Sequence, residues 1–159
     1  MQITNLAVIA LRALLITAFA LLVLLQTFSM PGQFAYLARE NPDMAYLRWP
    51  LTALAAVGLM CVQVVIVGTW KLLTFVKYDR IFSDAALKWV DAIVWAIGTA
   101  WVLLLGVSLY AVLAADDPAL PLILFVMLVG GAVLGLLVVV MRTLLQRATT
   151  LRIEMEAVI

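Results

Sequence analysis

Asp91 is the residue of this sequence with the greatest capacity for chemistry, because it lies in a long apolar segment with Lys88 three residues earlier. Residues spaced in this way share one face of a helix. An ionised side chain in lipid is costly and often functional, so one interpretation is a proton- or ion-handling carboxylate, or a buried partner for Arg12. The other is an interfacial residue paired with Lys88 and exposed to water. We adopt the second, because a helix of this length can leave its first turns outside the bilayer core.

Three more polar side chains interrupt apolar segments: Arg12, Gln26 and Gln63. Glutamines at such depths form hydrogen bonds to neighbouring helices, which we favour over ligand binding. Arg12 is expected to extend toward the headgroups while its stem stays in the apolar region. These polar residues do not form a run along one helix, so the sequence gives little support for a transport pathway.

The composition argues against several classes of enzyme and binding protein. The chain has no histidine and a single cysteine, Cys61, so an internal disulfide is excluded and histidine-based metal or proton chemistry is absent. The net charge of +1 does not suggest a nucleic-acid-binding surface. We therefore expect no enzymatic activity, no cofactor, no metal site and no direct contact with nucleic acid.

The elements that must position these residues are transmembrane helices. The 159 residues are 67% hydrophobic and 12% charged, whereas soluble domains are about half apolar and about a quarter charged. A span needs roughly 20 apolar residues, which predicts spans at 13–30, 50–70, 89–114 and 120–141, followed by a tail at 142–159. Pro31-Gly32 is expected to end the first helix, Pro50 to lie in the first turn of the second, and Ser83 to cap the third. The predicted fold is an all-α, single-domain membrane protein with four helices in an antiparallel bundle.

Basic residues are distributed unequally between the two sides of the membrane. Eight of them lie at Arg12, in segment 71–88 and in the tail, whereas the first loop has Arg39 and Arg48 and the Asp116-Asp117 turn has none. The positive-inside rule therefore places both termini in the cytoplasm of a bacterial plasma-membrane protein. The alternative, a cleaved signal peptide at the first span, lacks a suitable small-residue cleavage site.

Two helix-packing patterns occur near the C-terminus. Gly131 and Gly135 form a GxxxG pair, which allows close helix contact within the bundle or between subunits of a homo-oligomer. The tail continues the fourth helix with an apolar seam at a spacing of about 3.5 residues, which indicates packing on another helix. The seam comprises Leu144, Ala148, Leu151, Met155 and Val158. It is covered either by the cytoplasmic loop of the same chain or, as the alternative, by a second polypeptide.

The loop at 31–49 is the other segment that could recognise a ligand. It mixes aromatic and charged residues, so it fits either a binding loop or an interfacial helix over the bundle.

Three stretches together resemble a known family. They are Tyr78-Asp79-Arg80-Ile81-Phe82-Ser83, the two ends of the loop at 31–49 (PGQF and LRWPL), and the tail at 148–159. Their order and spacing are similar to a domain-of-unknown-function family of small four-helix bacterial membrane proteins, in its actinobacterial form. The resemblance implies no catalytic residues. Its members are often encoded beside a helix-turn-helix regulator, which implies a cytoplasmic transcription factor as partner.

The hypothesis that follows is a regulatory or sensory membrane protein that contacts lipid on its spans and a cytoplasmic partner on its tail and inner loop. The residues expected to form the partner surface are Tyr78, Arg80, Phe82, Leu144, Leu151, Arg152 and Met155. The alternative is a small transporter or a protein that binds lipid or another small molecule. It requires Gln26, Gln63 and Asp91 to share a pocket.

Overall fold

The computed structural model describes residues 2–114 and 118–158, and none of these residues lies in a β-strand. The predicted turn at Asp116-Asp117 lies outside the described residues. Four helical stretches of the described chain are long and apolar enough to cross a membrane, as the hydropathy predicts. In chain order the elements are α1 (Gln2–Leu24), a π-helical turn (Leu25–Ser29), α2 (Met30–Glu40), a 3₁₀ helix (Pro42–Leu47), α3 (Arg48–Lys77), α4 (Asp84–Ala114) and α5 (Ala119–Val158).

The prediction that Pro31-Gly32 ends the first helix is wrong. Proline has no N–H, and its ring clashes with the carbonyl four residues earlier, here that of Thr27. The backbone accommodates this with the π-helical turn, in which the N–H of Met30 donates to the carbonyl of Leu25. Helical structure therefore continues through Pro31 to Glu40. In lipid a break would leave backbone groups without water, so a wider helical turn is the better solution.

The predicted starts of the next two long helices are confirmed. α3 begins at Arg48, with Pro50 in its first turn. α4 begins at Asp84, where the hydroxyl of Ser83 accepts a hydrogen bond from the N–H of Ala86 at 3.3 Å. Between them the chain reverses at Asp79, which has a φ of 53°. The N–H of Arg80 then bonds the Phe75 carbonyl at 2.8 Å, which closes the end of α3.

The chain divides into two compact units, Met1–Ile66 and Val67–Ile159. In the second unit α4 and α5 pack side by side and run antiparallel. A Cβ atom at Gly131 would lie 3.2 Å from the indole Cδ1 of Trp101, and one at Gly135 would lie 3.4 Å from Cγ2 of Ile97. The indole N–H of Trp101 also donates to the carbonyl of Leu128 at 2.9 Å. The glycine pair therefore packs within the chain, against α4.

α5 is much longer than a membrane span. Its 40 residues measure about 60 Å, whereas the hydrocarbon core is about 30 Å thick. Residues 119–141 carry no charge and already measure about 34 Å. Residues 142–158, here named the α5 extension, therefore lie beyond the core as a continuous helix. The prediction that the fourth helix continues into the tail is confirmed.

Candidate functional site

Asp91 and Arg142 join α4 to α5 at the base of the α5 extension. The guanidinium donates from Nε to Oδ1 of Asp91 and from Nη2 to Oδ2 at 3.3 Å, so both carboxylate oxygens are used. Its Nη1 donates to Oε1 of Gln146 at 3.1 Å. The Asp91 side chain is 41% exposed and that of Arg142 is 34% exposed. Both charged groups are therefore partly buried.

The carboxylate of Asp91 takes its partner from another helix rather than from Lys88, one turn away on its own helix. The planar guanidinium of arginine matches both oxygens of a carboxylate, which the single ammonium of lysine does not. The antiparallel register of α4 and α5 brings Arg142 to the level of Asp91. Arg142 is not among the predicted site residues because the sequence pattern assigns it to the tail.

A second contact fixes the loop between α3 and α4 (residues 78–83, here named the α3–α4 loop) to the α5 extension. Arg152 lies with Nη2 at 3.6 Å from Oδ2 of Asp79 and with its guanidinium carbon 5.8 Å from the ring centroid of Phe82. Its Nε is 3.5 Å from Glu156. Exposed pairs of this kind contribute about 1 kcal/mol or less each. These contacts orient the loop. They also bring together Phe82 and Arg152, two of the residues predicted to form the partner surface.

The apolar seam of the α5 extension is not the face that meets the loop. Thr149 is buried at 2% exposure, whereas Leu144, Leu151 and Met155 are 55%, 60% and 68% exposed. The loop reaches Arg152 instead, and the described part of the chain leaves Leu144, Leu151 and Met155 exposed while Ala148 is half-buried. Tyr78 and Arg80, in the same loop, are also exposed.

The two intramembrane glutamines bond to each other in the first unit. The π-helical turn contains Gln26, whose Oε1 accepts a hydrogen bond from Nε2 of Gln63 at 3.0 Å. Nε2 of Gln26 in turn points to the carbonyl of Ala56 at 3.4 Å. This is the bonding between helices that the sequence predicts for these amides. Arg12 lies on α1 and is partly buried.

Metal-binding geometry is not found among the described residues, since no group of three or more His, Cys, Asp or Glu side chains is placed to hold an ion. What the site offers is a surface: a rigid helix with an exposed apolar seam, braced by Asp91 at its base and by the α3–α4 loop along its side.

The four apolar helices define a multi-pass α-helical membrane protein in contact with lipid. Within this class, the chain belongs to the family described as "Protein of unknown function (DUF2975)", which matches residues 32–159. The match begins at Gly32 and includes α3, α4, the α3–α4 loop and the α5 extension. No curated protein and no solved structure matches this chain.

Proposed function

We propose that this chain is a membrane-embedded regulatory or sensory protein that acts through a protein partner bound to the α5 extension and the α3–α4 loop. The observation that carries the proposal is the exposed seam at Leu144, Leu151 and Met155. The proposed activity is binding, without catalysis.

The seam has the chemistry of a helix-docking surface. Apolar side chains repeat along one face of a helix at the spacing used for packing on another helix. This part of the helix extends about 25 Å beyond the membrane span, so lipid does not cover it along most of its length. A short helix of this kind gains stability only by burying its apolar face, which favours a bound partner.

The side on which the partner lies follows from charge. Eight basic residues flank the spans on the side of the α5 extension in a four-span topology, against two on the other. The positive-inside rule then places both termini and the α3–α4 loop in the cytoplasm of a bacterial cell, with the four helices as an antiparallel bundle in the plasma membrane. A cytoplasmic helix-turn-helix regulator is the candidate partner that the family resemblance implies.

The second candidate function is a small transporter or a lipid- or small-molecule-binding protein. It needs Gln26, Gln63 and Asp91 to face one shared pocket. Gln26 and Gln63 instead bond to each other, and Asp91 is bound by Arg142, so these groups serve contacts between helices. The observation that remains in favour of a lipid-binding role is an apolar groove of about 310 Å³ between α4 and α5, which none of these three residues lines.

Crosslinking in native membranes, followed by mass spectrometry of the tagged full-length chain, tests the leading proposal. Replacing both Leu151 and Met155 with serine should abolish recovery of the partner while leaving the amount of membrane-inserted protein unchanged. The matched control is Ile153→Ser. Ile153 is 51% exposed, but it lies about 200° around the helix from Leu151 and outside the seam.

Partner recovery that is lost in the double variant and kept in Ile153→Ser supports the seam as the binding surface. Equal recovery from all three proteins would show that the partner, if any, binds elsewhere.

A further inference from the structure

The exposed seam of the α5 extension has two edges that carry different groups. The seam repeats as a heptad with Ala148 and Met155 at the first position. Arg147 and Glu154 directly precede these residues and lie along one edge of the seam, here named the open edge. Arg152 lies along the other edge, here named the loop edge. Charges at such flanking positions decide which helix pairs with a seam and in which direction.

The loop edge is already engaged within the chain. Nη2 of Arg152 lies 3.6 Å from Oδ2 of Asp79, and its Nε lies 3.5 Å from Oε1 of Glu156. Its guanidinium carbon lies 5.8 Å from the ring centroid of Phe82. Two carboxylates therefore compensate the charge of Arg152, and the α3–α4 loop closes this edge.

The open edge has charged side chains and space beside them. Arg147 and Glu154 are exposed, and neither forms an ion pair within the described part of the chain. Glu154 follows Arg147 by seven residues, about 10 Å along the helix. A hollow of about 470 Å³ follows the same edge, lined by Thr143, Gln146, Arg147, Thr150, Leu151 and Glu154. This edge thus presents a positive charge nearer the membrane span and a negative charge farther out, with room for the side chains of a bound helix.

A second copy of this chain does not supply the complementary charges. Because α5 is one continuous helix from its apolar part into the α5 extension, two copies inserted in the same direction would pair their extensions in parallel. In a parallel pair the open edge of one copy meets the loop edge of the other, which brings Arg147 to Arg152. Residues 153–159 contain no basic residue to face Glu154. The charges of the open edge therefore fit a helix of a different sequence.

We infer that the α5 extension binds an amphipathic helix of a different protein, with an acidic side chain against Arg147 and a basic side chain against Glu154. The apolar face of that helix covers Leu151 and Met155, and its two charged side chains enter the hollow beside the seam. A helix that carries only one sign of charge gains one ion pair at this edge and meets one like charge. The inference rests on the proposed function, since it names the chemistry of the partner bound at the same surface.

The test uses the full-length protein in phosphatidylcholine nanodiscs and three synthetic helical peptides. Each peptide is three heptads long, with leucine at the first and fourth heptad positions. At the flanking positions the mixed peptide has glutamate in its N-terminal half and lysine in its C-terminal half, whereas the two uniform peptides have only glutamate or only lysine. Fluorescence anisotropy measures peptide binding, and the Leu151→Ser, Met155→Ser double variant gives the background from lipid.

The wild-type chain should bind the mixed peptide about fivefold more tightly than either uniform peptide, because one repulsive contact is replaced by an ion pair. Arg147→Glu should prefer the lysine peptide and Glu154→Lys the glutamate peptide, each by a similar factor. The matched control is Lys71→Glu, which reverses an exposed charge on α3 and should keep the wild-type order of preference. Salt at about 1 M should bring the three affinities together, since it screens charges at an exposed surface.

The possible failures separate this inference from the proposed function. Equal binding of the three peptides by the wild-type chain, or an unchanged order of preference in Arg147→Glu and Glu154→Lys, would overturn the inference and leave the seam as a binding surface. Binding no stronger than the background of the double variant would overturn both. A wild-type dimer that the double variant converts to a monomer would identify a second copy as the occupant and would equally contradict the inference.

Discussion

Arg142 of α5 binds both carboxylate oxygens of Asp91 of α4, at the point where the uncharged part of α5 ends and the α5 extension begins. The pair therefore fixes the register of the two helices at the boundary of the apolar region. Because α5 is one continuous helix, the same contact also sets where the exposed seam stands relative to the α3–α4 loop.

Breaking this pair should weaken the packing of α4 on α5. Arg142→Gln or Asp91→Asn leaves the remaining charged group with fewer hydrogen bonds, and each should lower the free energy of unfolding, by less than a fully buried pair would because both groups are partly exposed. A double-mutant cycle, measured by SDS-titrated unfolding in mixed micelles, should give a coupling energy different from zero.

Lys88→Gln is the control for this prediction, since Lys88 lies one turn from Asp91 and is exposed. It should leave the free energy of unfolding unchanged. A loss as large as that of Arg142→Gln would mean that Lys88 is the main partner of Asp91.

The hydrogen bond between Gln26 and Gln63 predicts an asymmetry between single and double replacements. Gln63→Leu leaves Oε1 of Gln26 without its donor in an apolar region, which should cost about 1 kcal/mol. The Gln26→Leu, Gln63→Leu double variant removes both groups and should be closer to the wild type. Unfolding in mixed micelles measures the free energy of unfolding of each variant. A double variant that loses more stability than the two single variants together would contradict the pairing.

Hydropathy predicted the four long helices because lipid imposes one rule on every span: its surface must be apolar and its backbone bonded internally. The cap at Ser83 was predictable because it depends on residues within one turn. The continuation through Pro31 was not, since the pattern of a helix-ending proline is the same whether the backbone stops or widens into a π-helical turn.

The Asp91–Arg142 pair was missed because it depends on the register of two helices, which no local pattern encodes. One signal was nevertheless present. Asp91 precedes Asp116 by 25 residues, and Arg142 follows Asp117 by 25. Opposite charges at equal distances from the predicted connection between two antiparallel helices should meet, so counting outward from that predicted connection would have found Arg142.

The GxxxG spacing predicts a packing motif but does not say whether its partner is another helix of the bundle or a second subunit. The structure brings Gly131 against Trp101, so Gly131→Leu should force the indole to move and cost about 1–3 kcal/mol. Gly130→Leu, one residue earlier, meets open space and should be tolerated. Unfolding in mixed micelles measures the two stabilities, and light scattering gives the oligomeric mass.

Neither substitution should change the mass of the protein in detergent if the motif serves packing within one chain. Loss of a dimer in Gly131→Leu, with stability intact, would instead assign the motif to an interface between subunits.

The closest approach to a glycine in the structure is at Gly68 of α3, where a Cβ atom would lie 2.7 Å from Cγ1 and 2.9 Å from Cδ1 of Ile93 on α4. Gly68→Ala should therefore displace a buried side chain and lower the free energy of unfolding by about 1–3 kcal/mol. Gly58→Ala is the matched control, because Gly58 lies on the same helix with no atom within 4 Å of its Cβ. This substitution should be neutral or up to about 1 kcal/mol stabilising.

The cost of Gly68→Ala should shrink in an Ile93→Ala background, where the added methyl occupies space that the isoleucine has left. If the cost is the same in both backgrounds, contact with Ile93 is not its cause.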